Sequence, residues 1–305
     1  MHTKKSSYLF AIISASVLWG FFAFPLRALK NYNSGQILTW RIVIAFFIVW
    51  LIVALFKADI LKKNIQILLG YSSKVRNKIL VLIFISGILL TLNWFTFIYV
   101  VNHVSLKSGA FAYMVCPLIT ALGGNLILKE PLNRIKLVSI GIAFISIVSL
   151  ATGALGEILW SVLIAVLYAF FLIIQRVVKG IDTIIMLGMQ LLISLVLMLP
   201  VLWYFPQNLP YTFDFWLNVS IISIFFTIIP LLLSLYALIG LPSSTIGITI
   251  YISPMVSFCV ALFYFNEVIP AGQIFYYVLL LLAVLFFNSD ILWKLIFPRF
   301  NTIKS

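Results

Sequence analysis

The sequence predicts an all-α membrane protein of ten transmembrane helices, built as two inverted five-helix repeats. Three observations predict it: the composition, the length of the apolar runs, and a match of the chain to itself. Hydrophobic residues make up 64% of the chain and charged residues 9%. A soluble domain is about 45–50% apolar and about 25% charged. So little charge cannot cover a soluble body, so the apolar surface must face lipid.

Each element follows from its length. About 30 Å of hydrocarbon requires roughly 20 apolar residues in a helix. Such runs lie at 7–27, 37–56, 79–101, 107–128, 136–153, 156–175, 183–203, 215–239, 244–265 and 271–292. Lipid offers no partner to backbone polar groups, which selects helices. The short alternating segments of a membrane barrel are absent from the sequence. Lys4 and Lys5 precede the first run, and Ser14-Ala15-Ser16 resembles a signal-peptide cleavage site. The run continues through Val17-Leu18-Trp19-Gly20-Phe21-Phe22, so it reads as a retained first helix.

Charge sets the orientation. With the N-terminus inside, sixteen of the 20 Lys and Arg fall on the inner side. Arg27, Lys30, Arg41 and Lys107 fall on the outer side or its margin. The positive-inside rule then puts both termini in the cytoplasm. The basic stretch 57–78 reads as a loop that anchors topology, with contact to anionic headgroups as a second role. The net charge of +13 belongs to these loops and not to a nucleic-acid face.

The self-match carries the internal organisation. An offset of 137 places Cys116-Pro117-Leu118 on Ser253-Pro254-Met255, Lys129-Glu130 on Asn266-Glu267, Tyr99 on Tyr236 and Ser108 on Thr245. At the starts of the halves, Trp19-Gly20-Phe21-Phe22 falls on Tyr168-Ala169-Phe170-Phe171, and Arg27 on Arg176. The halves are 1–153 and 154–305. Five helices in each half make the second enter from the opposite face. Inverted repeats of this kind are a secondary-transporter architecture, with substrate near the midplane.

Five segments resemble the EamA family of drug/metabolite transporters, and within it the RarD branch of chloramphenicol-sensitive permeases. They are Leu18-Trp19-Gly20, Asn93-Trp94, Val100-Val101-Asn102-His103, Val166 to Arg176, and Ser244-Thr245-Ile246-Gly247 through Pro254 to Glu267. Two positions depart from the branch. Tyr113-Met114-Val115-Cys116-Pro117 lacks an Asn before the proline, and Trp40-Arg41 replaces a common His-Arg pair. The resemblance implies a ten-helix permease of the inner (plasma) membrane.

Chemistry within the helices narrows the function. No GxxxxGK[ST] phosphate loop occurs, so ATP hydrolysis by this chain is not expected. The acids are Asp59, Glu130, Glu157, Asp182, Asp214, Glu267 and Asp290, all expected in loops or at helix ends. A carboxylate-based proton relay and a purely cationic solute are therefore disfavoured. Glu130 and Glu267 read as structural, pairing with a base or with a neighbouring helix N-terminus.

The candidate substrate-binding residues are Asn93, Trp94, Tyr99, Tyr113, Tyr251, Trp19 and Arg41. Asn93 sits mid-helix, where an amide needs a protein partner or a polar cavity. The aromatic residues, with Tyr236, are candidates for a cavity wall. Arg41 either snorkels to the interface or captures a substrate carboxylate, an ambiguity shared by Arg27 and Arg176. His103 reads as a loop histidine, and Gln175 and Gln190 are lesser cavity candidates. Pro117 and Pro254 can kink their helices. Gly109, Gly123, Gly124 and Gly247 suit close helix packing.

Cys116 and Cys259 lie in apolar runs without metal-ligand spacing and read as small buried hydrophobes. No catalytic residue, metal or cofactor is expected. The expected partners are a small-molecule substrate and the lipid bilayer, with no nucleic acid; a homodimer stays open. A non-transporting membrane scaffold and an intramembrane enzyme are the alternative functions. The short loops argue against the first. The absence of HExxH, GxSxG and paired membrane aspartates argues against the second.

Overall fold

The structure is a computed structural model that describes residues 2–204, 212–241, 249 and 251–289. The motif Ser244 to Gly247, the start of the expected helix 244–265, the end of 271–292, Asp290, Lys294, Arg299 and Lys304 lie outside the described residues. All regular elements among the described residues are helical. They are α1 (His2–Gly20), α2 (Ala23–Ala28), α3 (Ser34–Phe56), α4 (Ala58–Gly70), α5 (Ser73–His103), α6 (Leu106–Leu128), α7 (Arg134–Val177), α8 (Thr183–Tyr204), α9 (Phe213–Ser223), α10 (Ile229–Gly240), α11 (Ile252–Cys259) and α12 (Ala271–Phe287). Single π-helical segments follow α9 (Ile224–Ile228) and α11 (Val260–Tyr264).

Among the described residues, seven helical spans are long and apolar enough to cross a membrane, and two shorter apolar stretches join them. One of the seven is α7, whose 44 residues cover two crossings. Its backbone breaks at Ala154 (φ −156°, ψ 51°), between the expected helices 136–153 and 156–175. Ten spanning segments fit this set. Two expectations need correction. The first run is split at Phe21–Phe22 into α1 and α2. The stretch 57–78 is not simply a loop, because 58–70 is helix α4.

The chain forms two compact units. One holds Met1–Ala23, His103–Val166 and Ile229–Ser305; the other holds Phe24–Asn102 and Leu167–Ile228. In the first, α1 packs on α10 through Ala11, Ile12, Ala237 and Leu241. It also meets α11 where Gly20 lets the backbones close: a Cβ at Gly20 would lie 2.5 Å from Val256 Cβ, and Ser257 Oγ donates to the Gly20 carbonyl at 2.9 Å. Phe111 of α6 and Phe258 of α11 both pack on Tyr277 of α12.

The second unit is joined by polar contacts that lipid could not replace. Trp50 Nε1 donates to the Gly188 carbonyl (3.2 Å), tying α3 to α8. Between α5 and α8, Gln190 Nε2 donates to Ser86 Oγ (2.8 Å) and Thr91 Oγ1 to Ser194 Oγ (2.7 Å). Gly87 admits Ile193 there, since a Cβ would sit 2.8 Å from Ile193 Cγ2. Trp40 and Trp216 meet edge to face at 4.8 Å between α3 and α9.

The two helix ends paired by the self-match have the same local geometry. Lys129 (φ 57°) and Asn266 (φ 53°) are the non-glycine residues in the left-handed region among the described residues. After each, the glutamate N–H bonds six residues back: Glu130 to the Gly124 carbonyl and Glu267 to the Ala261 carbonyl. This is the 6→1 closure of a helix C-terminus.

Candidate functional site

The polar site of the second unit begins at Arg41. It lies within the second turn of α3, and its residue is 5% exposed. Its guanidinium carbon stands 4.1 Å from the centroid of the Trp94 ring, and Nε donates to Thr227 Oγ1 at 3.1 Å. Ser223 Oγ bonds the Arg41 carbonyl at 3.3 Å. Arg41 therefore does not snorkel to the interface. A cation inside an apolar bundle needs compensation, and the electron-rich indole face supplies part of it.

The local sequence builds this arrangement. Thr227 lies in the π segment, and its hydroxyl donates to the Ile222 carbonyl (3.0 Å), a five-residue span. Pro230 follows, has no N–H, and its ring crowds the carbonyl four residues back. The wider π turn carries Thr227 toward Arg41. Such turns recur at functional positions. Nothing in the sequence singles out Thr227 and Ser223 as candidates, although the 137-residue offset also places Asn93 on Pro230, close to both in the chain.

Asn93 and Trp94 are consecutive on α5. Asn93 is fully buried, and Trp94 is half-buried. Tyr99, half-buried, lies more than a turn further along. The structure thus brings Arg41 and Trp94 together, with Asn93 beside Trp94 in the chain. Trp19, Tyr113 and Tyr251 belong to the other unit. Trp19 and Tyr113 are half-buried on α1 and α6, and Tyr251 is buried at the start of α11. Tyr236 is 45% exposed and borders an open groove of about 450 Å³ with Ser6, Phe10 and Leu233. Gln190 is spent on Ser86. Gln175 is half-buried, and Arg176 and His103 are exposed. Cys116 is buried as expected, but Cys259 is exposed on α11, so that expectation fails for Cys259. Both side-chain polar atoms of Asn102 are buried without a hydrogen-bond partner among the described residues. Asn102 therefore joins the candidates; the sequence marked it only as part of a motif.

A second polar cluster sits in the first unit, at the start of α6. The Glu267 carboxylate accepts from the N–H groups of Leu106 (2.8 Å) and Lys107 (2.9 Å). This is the expected pairing of Glu267 with a neighbouring helix N-terminus. Lys107, 8% exposed, donates Nζ to the Val268 carbonyl (3.1 Å) and lies 3.5 Å from Glu157 Oε2. Ser105 and Ser108 hydroxyls donate to the same oxygen at 3.1 and 2.9 Å. Glu157 lies inside α7, just past the break at Ala154, and so at the start of a spanning segment. The cluster pairs its charges within itself, which suits a structural role. Among the described residues, no group of three or more His, Cys, Asp or Glu could hold a metal ion.

Apolar helices of spanning length, joined by buried polar bonds, define a multi-pass membrane protein. The chain belongs to the EamA-like transporter family, whose family model matches twice, over residues 5–152 and 155–289. It is 28% identical over 299 residues to the uncharacterized transporter YojE of Bacillus subtilis, covering 96% of each chain. It is 24% identical to protein RarD of Salmonella typhi, covering 92% of this chain and 94% of that protein. To protein RarD of Streptomyces exfoliatus it is 28% identical, over 59% and 58% of the two chains. These likenesses are consistent with the RarD branch. One solved crystal structure shares the fold at a TM-score of 0.60 and 14% identity, covering 92% of this chain and 96% of the other.

Proposed function

We propose that this chain is a secondary transporter that exports a small metabolite or drug-like solute by alternating access around a midplane cavity. In this reading it sits in the inner membrane with both termini in the cytoplasm. Residues 1–153 and 154–305 are its inverted repeats. The matched closures at Lys129 and Asn266 and the two successive family matches support a duplication. An odd number of helices per half then inverts the second copy.

The observation that carries the proposal is the buried guanidinium of Arg41 against Trp94 and Thr227. A planar fork of N–H donors suits a carboxylate or another planar polar group. The solute is accordingly neutral, zwitterionic or anionic. Arg41, Asn93, Trp94, Tyr99, Trp19, Tyr113 and Tyr251 are the proposed substrate contacts.

The test is flux in liposomes containing the purified protein, scanned over a metabolite and drug panel with and without a pH gradient. We expect flux of at least one non-cationic solute. Arg41→Gln should lower it about tenfold or more, the loss of one charge-assisted contact. Flux restricted to cations, or no flux of any solute by folded protein, would overturn the reading.

A further inference from the structure

Helix α4 is too short to span a bilayer, and it lies between two helices long and apolar enough to do so. Its thirteen residues, Ala58–Gly70, divide cleanly by face. At 100° per residue, Lys62, Gln66, Asp59 and Lys63 form one polar arc. Ile60, Leu61, Ile65, Ile67, Leu68 and Leu69 occupy the rest, with Asn64 between Ile60 and Leu68. Asn64 is 5% exposed, and its Oδ1 accepts from the Asp182 N–H at 2.8 Å. Asp182 also takes Lys57 Nζ at 2.9 Å. The helix is therefore pinned to the segment before α8 by its apolar face, toward the Ile60 side.

That pinning leaves one apolar edge uncovered. Ile65 is 47% exposed and Leu69 63%, and both lie between Asn64 and Lys62 on the helix wheel. Lys62 is exposed beside Leu69, and Lys63, also exposed, ends the polar arc on its other side. The flanking residues Lys74 and Lys78 are exposed too, and Arg76 is half-buried. Among the described residues, the acid paired with one of these cations is Asp59. It stands 4.0 Å from Lys62 with both side chains in the open, a pairing of little strength. The chain enters α4 directly from the end of α3, and α5 turns apolar again at Ile79. An apolar edge flanked by lysines, held at the end of spanning helices, has the chemistry of an interfacial helix on an anionic bilayer surface.

We infer that α4 and the start of α5 form a binding surface for anionic phospholipid, with Ile65 and Leu69 in the acyl boundary and Lys62, Lys63, Lys74 and Lys78 on headgroup phosphates. A loop that merely sets topology needs positive charge but no amphipathic helix and no exposed apolar edge.

The test uses the full-length protein in neutral detergent, titrated with phosphatidylglycerol or phosphatidylcholine of matched chains, with bound lipid counted by native mass spectrometry. The wild type should retain phosphatidylglycerol in preference to phosphatidylcholine, and rising salt should erode the preference. Lys62→Gln/Lys63→Gln/Lys74→Gln/Lys78→Gln should lower phosphatidylglycerol retention about tenfold. Ile65→Gln/Leu69→Gln should weaken binding of both lipids. The exposed pair Lys129→Gln/Arg134→Gln should leave the preference intact. Variants are compared only where their size-exclusion profile and thermal midpoint match the wild type. For the four-lysine set, Asn64→Ala serves as a second variant: unpinning α4 should reduce the preference with every lysine in place. No preference in the wild type, a preference that survives both the four-lysine set and Asn64→Ala, unchanged binding of both lipids in Ile65→Gln/Leu69→Gln, or equal loss in the control pair would overturn the inference.

Discussion

Arg41, buried, and Glu267, half-buried, are charged groups held by partners far away in sequence. Arg41 finds an indole on α5 and a hydroxyl in the π turn after α9. Arg41→Lys keeps the charge but loses the planar stack and the fork. Liposome flux should fall with Arg41→Lys, though less than with Arg41→Gln. Equal flux in Arg41→Lys and wild type would remove the geometric part of the argument. Glu267 accepts two N–H bonds at the start of α6. Glu267→Gln keeps the shape but loses the charge facing the positive helix end, at a cost of about 1–2 kcal/mol. A lower thermal midpoint in detergent is the expected result, and an unchanged midpoint would show that the cluster carries no stability. The sequence pointed to Glu267 as a partner of a helix N-terminus. It could not say which helix, because α6 begins 161 residues away.

Helix ends and crossings make a different kind of prediction. Lys129 and Asn266 both occupy the left-handed region, which costs a side chain about 1 kcal/mol but costs asparagine less. Lys129→Gly should therefore stabilise by up to about 1 kcal/mol, and Asn266→Gly by less. Thermal midpoints of the two variants check the order, and a larger gain at Asn266 would contradict it. At the α5–α8 crossing, Gly87→Leu must displace Ile193 and should destabilise by about 1–3 kcal/mol. Gly141, where an added Cβ would meet nothing within 4 Å, is the control, and Gly141→Leu should leave the midpoint unchanged or raise it, since glycine inside a helix costs about 1 kcal/mol. Spanning helices were legible because hydrocarbon thickness dictates their length. Helix α4 was not, because thirteen amphipathic residues with three lysines in and just before them resemble any basic loop until Asn64 is seen docked on Asp182.

The arrangement of the chain as a whole was only partly legible. Composition and apolar run length determined that the protein lives in lipid and roughly where its long apolar helices lie. Those properties depend on local length and hydropathy, which any stretch of sequence carries by itself. Loop charge predicts both termini on the cytoplasmic side. Reporter fusions at residues 1 and 305 and in the 129–134 turn should all report cytoplasm, and an external signal from any one would break the assigned orientation. Tertiary structure decided the rest. It buried Arg41 against Trp94 and Thr227, docked Asn64 on Asp182, and capped the start of α6 with a carboxylate 161 residues further along the chain. These outcomes depend on which side chains meet across helices. Hydropathy is nearly the same on every face of a membrane helix and cannot encode such meetings. The few polar groups that lipid refuses to solvate choose the partners, and only the folded chain shows the choice.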